Sequence, residues 1–356
     1  MHILFSCDDD DFAAQDRAEL ITLLEELARA SSRGYHRIII GRGVARWCRD
    51  NIHEASFART HLIRISEQYA QLKGEYDRAS VRLRIELGGA EPSKVSESEW
   101  LIGHRAVLNG LYLEPAAIVV EDATNDGSFY EYVLHAEAKR TRYGALQMRF
   151  VNGGGNGLYK EFERAIESQQ ITVCIADHDM LAPKGQRSQT NLKCHVVERK
   201  FEGSYVGMLL DTPGREVDNF LPLDIISELP GKRCTKEHQE LRRLIDAQGG
   251  EVRAGDCLWL YFDVKEGVWS DKYLKKCPDN AALAWIKRKY RAQEEVAFNR
   301  IQYPGFKDDI PALFVASNEA KGAFHAFAKS RYWATHFAPW LQKVMSFAAA
   351  SPRSRT

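Results

Sequence analysis

An α/β fold built on a central parallel sheet is predicted for this chain, on three observations. Four strand-like runs recur through its middle, Ala116–Val120 (AAIVV), Leu146–Val151 (LQMRFV), Ile171–Ala176 (ITVCIA) and Gly207–Leu210 (GMLL), of which the first is continuously apolar and rich in β-branched residues. Runs that are apolar throughout suit strands covered on both faces. Helix-like stretches, Phe129–His135 and Leu158–Ser168, separate the first three runs on short connections, and that alternation is the pattern of a parallel sheet.

The elements before this unit predict a separate α/β region over 1–100. His2–Phe5 (HILF) and Arg37–Ile40 (RIII) read as strands. Between them Leu20, Leu23, Leu24, Leu27 and Ala28 fall at helical spacing, so Asp16–Ala30 reads as an amphipathic helix. Helix-like segments continue to about residue 85. Gly88–Glu99 is rich in Gly, Pro, Ser and Glu and reads as a linker. Residues 112–235 then form the central domain, with Val196–Val197 read as a further short strand. A third, mostly helical region covers 236–356. In it Leu258–Val264 (LWLYFDV) reads as a strand, Ala281–Phe298 and Ala320–Ala349 as helices, and Ser351–Thr356 as a disordered tail.

Composition bounds the function. At 356 residues the chain exceeds one ordinary core. Its 49 basic and 49 acidic side chains balance to zero, so any affinity for nucleic acid must come from a local basic surface. Seven cysteines, at 7, 48, 174, 194, 234, 257 and 277, include no CxxC pair, which argues against a disulfide framework and a zinc ribbon. Cys234 and His238 form a CxxxH pair with no second ligand pair nearby. Met1–Phe5 lacks the features of a signal peptide, and no run approaches the length of a membrane span. A soluble, cytoplasmic protein is expected.

Acidic residues stand just past the strand-like runs. Glu121 follows AAIVV, Asp177 and Asp179 follow ITVCIA, and Glu216 and Asp218 come after GMLLDTPGR. Parallel sheets place their chemistry at the carboxyl ends of their strands, and hard divalent cations require oxygen ligands. In extended backbone, residues i and i+2 point to the same side, so each acidic pair could share one ion while His178 turns away. Spacing alone is weak, since this acidic content puts about seven acidic-x-acidic pairs in the chain by chance. The signal is the ordered set: strand and Glu121, strand and Gly153-Gly154-Gly155, strand and Asp177-x-Asp179.

That set, IVVEDATNDGSFYEYVL then RFVNGGGN then VCIADHDM, resembles the Toprim domain of topoisomerases, primases, ribosomal-RNA maturases and OLD-type nucleases. The later GREVDNFLP is similar to an element that follows the DxD in OLD-type and related anti-phage effector nucleases. The resemblance spans roughly residues 114–230. It departs from the family pattern at Asp122, where glycine is usual, and at Asp218, where glutamate is commoner. It implies a metal-dependent nuclease acting on DNA or RNA, tRNA included, as the toxic effector of an antiviral defence system. Glu121, Asp177, Asp179, Glu216 and Asp218 would hold Mg²⁺ or Mn²⁺, as two ions about 4 Å apart, one activating water and the other stabilising the leaving oxygen. Gly153, Gly154 and Gly155 would let backbone approach phosphate. Arg199, Lys200 and Arg215 are candidates to steady it. The chain has no GxxxxGK[ST], so an ATPase, if needed, would act in trans.

The competing readings are structural. Glu121 could cap the following helix, and Glu216 and Asp218 could pair with Arg215 or cap a helix at Leu221–Leu229. Asp8–Asp11 follows a strand as a rival metal site, but reads better as an acidic turn. Lys287, Arg288, Lys289 and Arg291 with Trp285 and Tyr290 could bind and stack nucleic acid, or form a solvated helix face. Two further functions remain open: a silent Toprim fold serving binding or assembly, and a topoisomerase- or primase-related fragment, which would need a nucleophilic tyrosine.

Overall fold

A computed structural model describes residues 1–248, 256–269, 280–291, 301–307 and 310–352. It is an α/β structure with two separate main sheets. The first carries β1 (His2–Phe5), β2 (Arg37–Ile40), β3 (Arg82–Glu86), β4 (Ser93–Ser96) and β5 (Glu99–Gly103) in the order β2-β1-β3-β5-β4, with only β4 antiparallel to its neighbour. Asp16 caps the first helix, α1 (Arg17–Ser32), its Oδ1 accepting from the amides of Ala18 and Glu19 at 2.7 and 3.1 Å. The segment expected to be a linker, Gly88–Glu99, instead holds β4 and the turn into β5. Its Ser, Lys and Glu side chains are those of a solvated edge strand, which composition alone does not separate from a loop.

The second sheet holds β6 (Ala117–Val120), β7 (Arg149–Asn152), β8 (Thr172–Ala176) and β9 (Gly207–Asp211), all parallel, in the order β7-β6-β8-β9. After α2 (Arg42–Asn51), α3 (Phe57–Glu67), α4 (Tyr69–Arg78) and α5 (His104–Asn109), which accompany the first sheet, crossover helices α6 (Asn125–Thr141), α7 (Leu158–Glu167) and α8 (Gln189–Lys200) join the strands of the second. β6 and β8 are buried along their whole length, as fully apolar runs require. On one face Val119, Cys174 and Leu209 pack against Leu158, Phe162 and Val197 of α7 and α8. On the other, Ile118, Val120, Val173 and Ile175 join a core containing Phe129, Val133 and Leu134 of α6. The expected strand at Val196–Val197 lies inside α8, where Val197 is buried against the sheet and Val196 faces solvent.

The third region completes that second face. Among its described elements are helices Asn280–Lys289, Ile310–Ala316, Asn318–Phe327, Arg331–His336 and Ala338–Ala348, and a small antiparallel pairing of β10 (Gly267–Trp269) with β11 (Gln302–Pro304). The expected strand at Leu258–Val264 is a 3₁₀ turn, Leu258–Tyr261. Its apolar residues are buried all round because it is wedged between elements rather than laid in a sheet. The chain then returns to its beginning. The Met1 ammonium donates to Ala349 O at 2.5 Å, and Ser351 N donates to His36 O at 3.3 Å. Residues 353–356 of the expected tail lie outside the described residues, as does the end of the expected Ala281–Phe298 helix. No helix among the described residues is long and apolar enough to cross a membrane.

Phe220 locks these layers together. It is fully buried and touches Phe129 and Tyr130 of α6 and Trp333, Phe337 and Trp340 of the C-terminal helices, with ring centroids 4.7–6.4 Å apart. Truncation to Ala should leave a cavity that cannot collapse, costing about 3–5 kcal/mol. The measurement is the urea midpoint of Phe220→Ala against wild type at unchanged m-value. A change below about 1 kcal/mol would mean that the aromatic cluster is dispensable.

Candidate functional site

The strand order reverses between β6 and β8, since the chain steps from β6 outward to β7 and then back past β6 to β8. Such a switch point leaves a crevice at the carboxyl ends of the two central strands. Glu121 directly follows β6 and Asp177 directly follows β8, so the fold carries both to that crevice.

Local stereochemistry then presents Glu121. The adjacent Asp122, not Glu121, closes the turn into α6: its Oδ1 accepts from Thr124 N at 2.8 Å and Asn125 N at 3.1 Å. The capping alternative for Glu121 is therefore taken up by its neighbour. The glycine run folds back on the same segment. Gly153 N donates to Val120 O at 2.8 Å and Gly154 N to Glu121 O at 3.0 Å, while Gly154 and Gly155 adopt φ of 64° and 58°. The amides of Gly153 and Gly154 are thus committed to backbone carbonyls, and the loop buttresses Glu121. Those two N–H groups already have acceptors, so they are not donors for a phosphate, while the surroundings of Gly154 and Gly155 stay open to a close approach.

The acidic pairs converge, but not through extended backbone. Asp179 sits in the left-handed region at φ 56°, and its amide donates to Arg215 O at 3.2 Å. Glu216 N-caps the 3₁₀ turn Val217–Phe220, whose Asn219 Oδ1 accepts from Glu216 N at 2.9 Å, and Asp218 lies inside that turn. A Cβ on Gly214 would fall 2.4 Å from Asn219 Cβ, so this close approach requires glycine. The turn is pinned from below. Arg215 N donates to Leu260 O at 2.6 Å, and Asn219 Nδ2 donates to Trp259 O and Phe262 O at 2.7 and 3.0 Å. His178 is buried, its Nδ1 accepting from Met180 N at 3.0 Å, in keeping with a structural role.

Three side chains enter the site that sequence reasoning passed over. Asp126, in the first turn of α6, accepts from Asp122 N at 3.2 Å. Asp263 is buried and pairs with Arg215 Nη2 at 3.1 Å. Lys265 places its ammonium 3.0 Å from Glu216 Oε2 and 3.7 Å from Asp218 Oδ2. The signal for the last two was the alternation Asp263-x-Lys265, hidden by reading that segment as an ordinary strand.

Charge is unevenly balanced here. Burial, then Asp179 and Asp126, raises the Glu121 carboxyl above its ordinary value, and burial, then Glu121 and Glu216, raises Asp177 well above it. Burial likewise raises Asp179 against the opposing pull of Arg215, pushes Asp126 up to about 6 and pushes Asp218 up to about 7. Glu216 alone is held low. Burial opposes its ionisation, but Arg215 Nε at 2.8 Å and Lys265 together outweigh it. Among the described residues Asp218 has only Lys265, farther off, and neither of its carboxylate oxygens receives a hydrogen bond.

Other sequence candidates fall elsewhere. Arg199 and Lys200 lie at the far end of α8, which runs from the carboxyl edge of the sheet back to its amino edge. There Lys200 Nζ pairs with Glu163 at 2.6 Å and Arg199 Nε donates to His195 O at 3.2 Å, so the two are not brought to the carboxylates. Nearness in sequence misled because a helix intervenes. Asp8 and Asp11 close their own turn, Asp8 N donating to Asp11 Oδ2 at 2.9 Å. His238 caps a helix with Thr235 and bonds Pro304 O through Nε2 at 2.7 Å. Trp285 bonds Asp256 and Tyr290 stacks on Tyr303, so both rings belong to packing.

Among the described residues, no three His, Cys, Asp or Glu side chains stand ready to share one metal ion. The donor chemistry still fits a hard cation: all ligands would be oxygens, and among the described residues the Asp218 carboxylate accepts no hydrogen bond and shares its near cation, Lys265, with Glu216. The chain matches no protein-family model, no curated protein and no solved structure.

The raised carboxyls set a pH dependence. Asp126 and Asp218 bind protons more tightly folded than unfolded, so their contribution to stability is full below about pH 4 and is lost as pH rises through about 6 to 7. Asp218→Asn in EDTA should therefore raise the melting temperature at pH 8 by a few degrees, at about 2–4 °C per kcal/mol, and leave it nearly unchanged at pH 4. Calorimetry showing no gain at pH 8 would mean that Asp218 is already compensated.

Proposed function

We propose that this protein is a metal-dependent nuclease of Toprim type that hydrolyses phosphodiester bonds in DNA or RNA. One observation carries the reading. Glu121 and Asp177 leave the ends of the two central strands at the switch point of a parallel sheet, and Asp126, Asp179, Glu216 and Asp218 lie near enough for their charges to act on one another, in a setting where burial first and like charge second drive several toward protonation. Structural ion pairs do not call for so many like charges, whereas a catalytic site for phosphates does.

Glu121, Asp177 and Asp179 would be the principal ligands of Mg²⁺ or Mn²⁺, with Glu216 and Asp218 completing the set. The bound metal supplies an activated water at neutral pH and positive charge for the developing phosphorane oxygens. The remaining groups act on the substrate directly. Glu216 and Asp263 hold the Arg215 guanidinium at the mouth of the cluster, oriented for a phosphate oxygen. Lys265 adds a second fixed cation that offsets the charge of Glu216 and Asp218. The brace from Asn219 to Trp259 and Phe262 keeps both from drifting. The absence of a P-loop sequence fits either a nucleotide-independent nuclease or one governed by a separate ATPase. The likeness to anti-phage effectors supports a role in antiviral defence, with tRNA among the substrates.

A second reading has its own support. Lys265 stands among the very carboxylates that would bind metal, which suits a silent Toprim fold used for nucleic-acid binding or assembly.

The two readings separate in one assay. Purified protein is incubated with plasmid DNA and with total tRNA in Mg²⁺, Mn²⁺ or EDTA. The nuclease reading expects metal-dependent cleavage that falls by more than about 100-fold in Asp177→Ala, beyond the effect of losing an outer-shell partner. Equal cleavage by both proteins, or none with any metal, removes it. In the latter case, titration calorimetry without a Mn²⁺ signal favours the silent fold.

A further inference from the structure

We propose that the polar cleft beside Asp179 is a subsite for a phosphate group of the bound strand one nucleotide away from the reacting one, with Arg187 as its positioning residue. The proposal rests on the phosphodiester reading for the identity of its ligand.

The cleft, about 340 Å³, is lined by Asp179, Gln186, Arg187, Ser188 and Arg215. That volume is at the small end of ligand pockets, room for one nucleotide unit rather than a base pair. Asp179 and Arg215 form its wall toward the carboxylate cluster, so a strand with a phosphate at the cluster would continue into this space. Two guanidinium groups from different loops, one before α8 and one after β9, border the same small cleft.

Arg187 is built as a held donor rather than a casual surface charge. Its Nη1 donates to Asn191 Oδ1 at 2.8 Å and to Asp211 Oδ2 at 2.5 Å, and lies 3.1 Å from His195 Nε2. Asp211 is itself fixed, accepting from Asn191 Nδ2 at 2.8 Å and lying 3.1 Å from His195 Nε2. Every one of these bonds to Arg187 runs through Nη1. Among the described residues the Nη2 and Nε edge makes no bond, and that parallel pair of N–H groups is the one phosphate oxygens take side-on. A solvated Arg–Asp pair would gain little from so many partners, but orientation of a fork toward a ligand needs them.

The test uses the full chain and adenosine 3′,5′-bisphosphate, a single nucleotide with two phosphates, titrated calorimetrically in EDTA. Wild type should bind, and Arg187→Gln should bind at least 10-fold more weakly. Arg187→Lys, which keeps the charge without the fork, should fall between them. Arg199→Gln, at the far end of α8, should match wild type, and equal melting temperatures exclude unfolding. No binding by wild type, or equal binding by Arg187→Gln, overturns the proposal. Cleavage is measured separately. Arg187-dependent binding without cleavage would sink the nuclease reading and leave the subsite. Cleavage without bisphosphate binding would do the reverse.

Discussion

Gathering carboxylates at the carboxyl edge of one parallel sheet is costly unless positive charge is brought to meet them, and most of the architecture answers that constraint. Each buried carboxylate loses hydration, and each neighbour of like sign adds to the penalty. The sheet order places Glu121 and Asp177 side by side, and the turn after β9 adds Glu216 and Asp218. Arg215 arrives on that same turn, but Lys265 comes from the third region of the chain. The C-terminal region is therefore electrostatically part of the site and cannot be treated as an appendage. Its packing agrees: Trp340 Nε1 donates to Asp211 O at 2.8 Å, tying the last helix to the end of β9.

Rigidity around the cluster follows from backbone hydrogen bonds rather than from long side chains. The glycine loop grips the carbonyls of Val120 and Glu121, the amide of Asp179 grips Arg215 O, and Arg215 N grips Leu260 O. Each of these ties a loop at a strand end to its neighbour. Loops bearing chemistry are commonly the mobile part of a fold, and here they are cross-braced into a single unit. The residue following Glu121 takes part as well: Asp122 closes its own turn, which leaves Glu121 uncommitted.

The aromatic layer beneath the site performs a complementary task. Phe220 directly follows the acidic turn and is anchored among Phe129, Tyr130, Phe337 and Trp340. Burial of that ring fixes the position of Asp218 and Asn219 immediately before it, so apolar packing sets the coordinates of the polar groups.

Apolar strand-length runs separated by helical periodicity determined the α/β class, the parallel sheet and the placement of Glu121 and Asp177 at strand ends, because these depend on patterns local in the chain. The same local reasoning failed where tertiary context overrides it. Val196–Val197 has strand-like residues inside a helix, Gly88–Glu99 has loop-like residues in an edge strand, and Leu258–Val264 is apolar because it is wedged rather than pleated. Arg199 and Lys200 looked near the site only along the chain. What tertiary structure alone decided is which charges meet. Asp126, Arg187 and the pair Asp263 and Lys265 come from three separate segments. An ion pair between distant segments leaves no periodicity in the sequence, so only the folded chain reveals it.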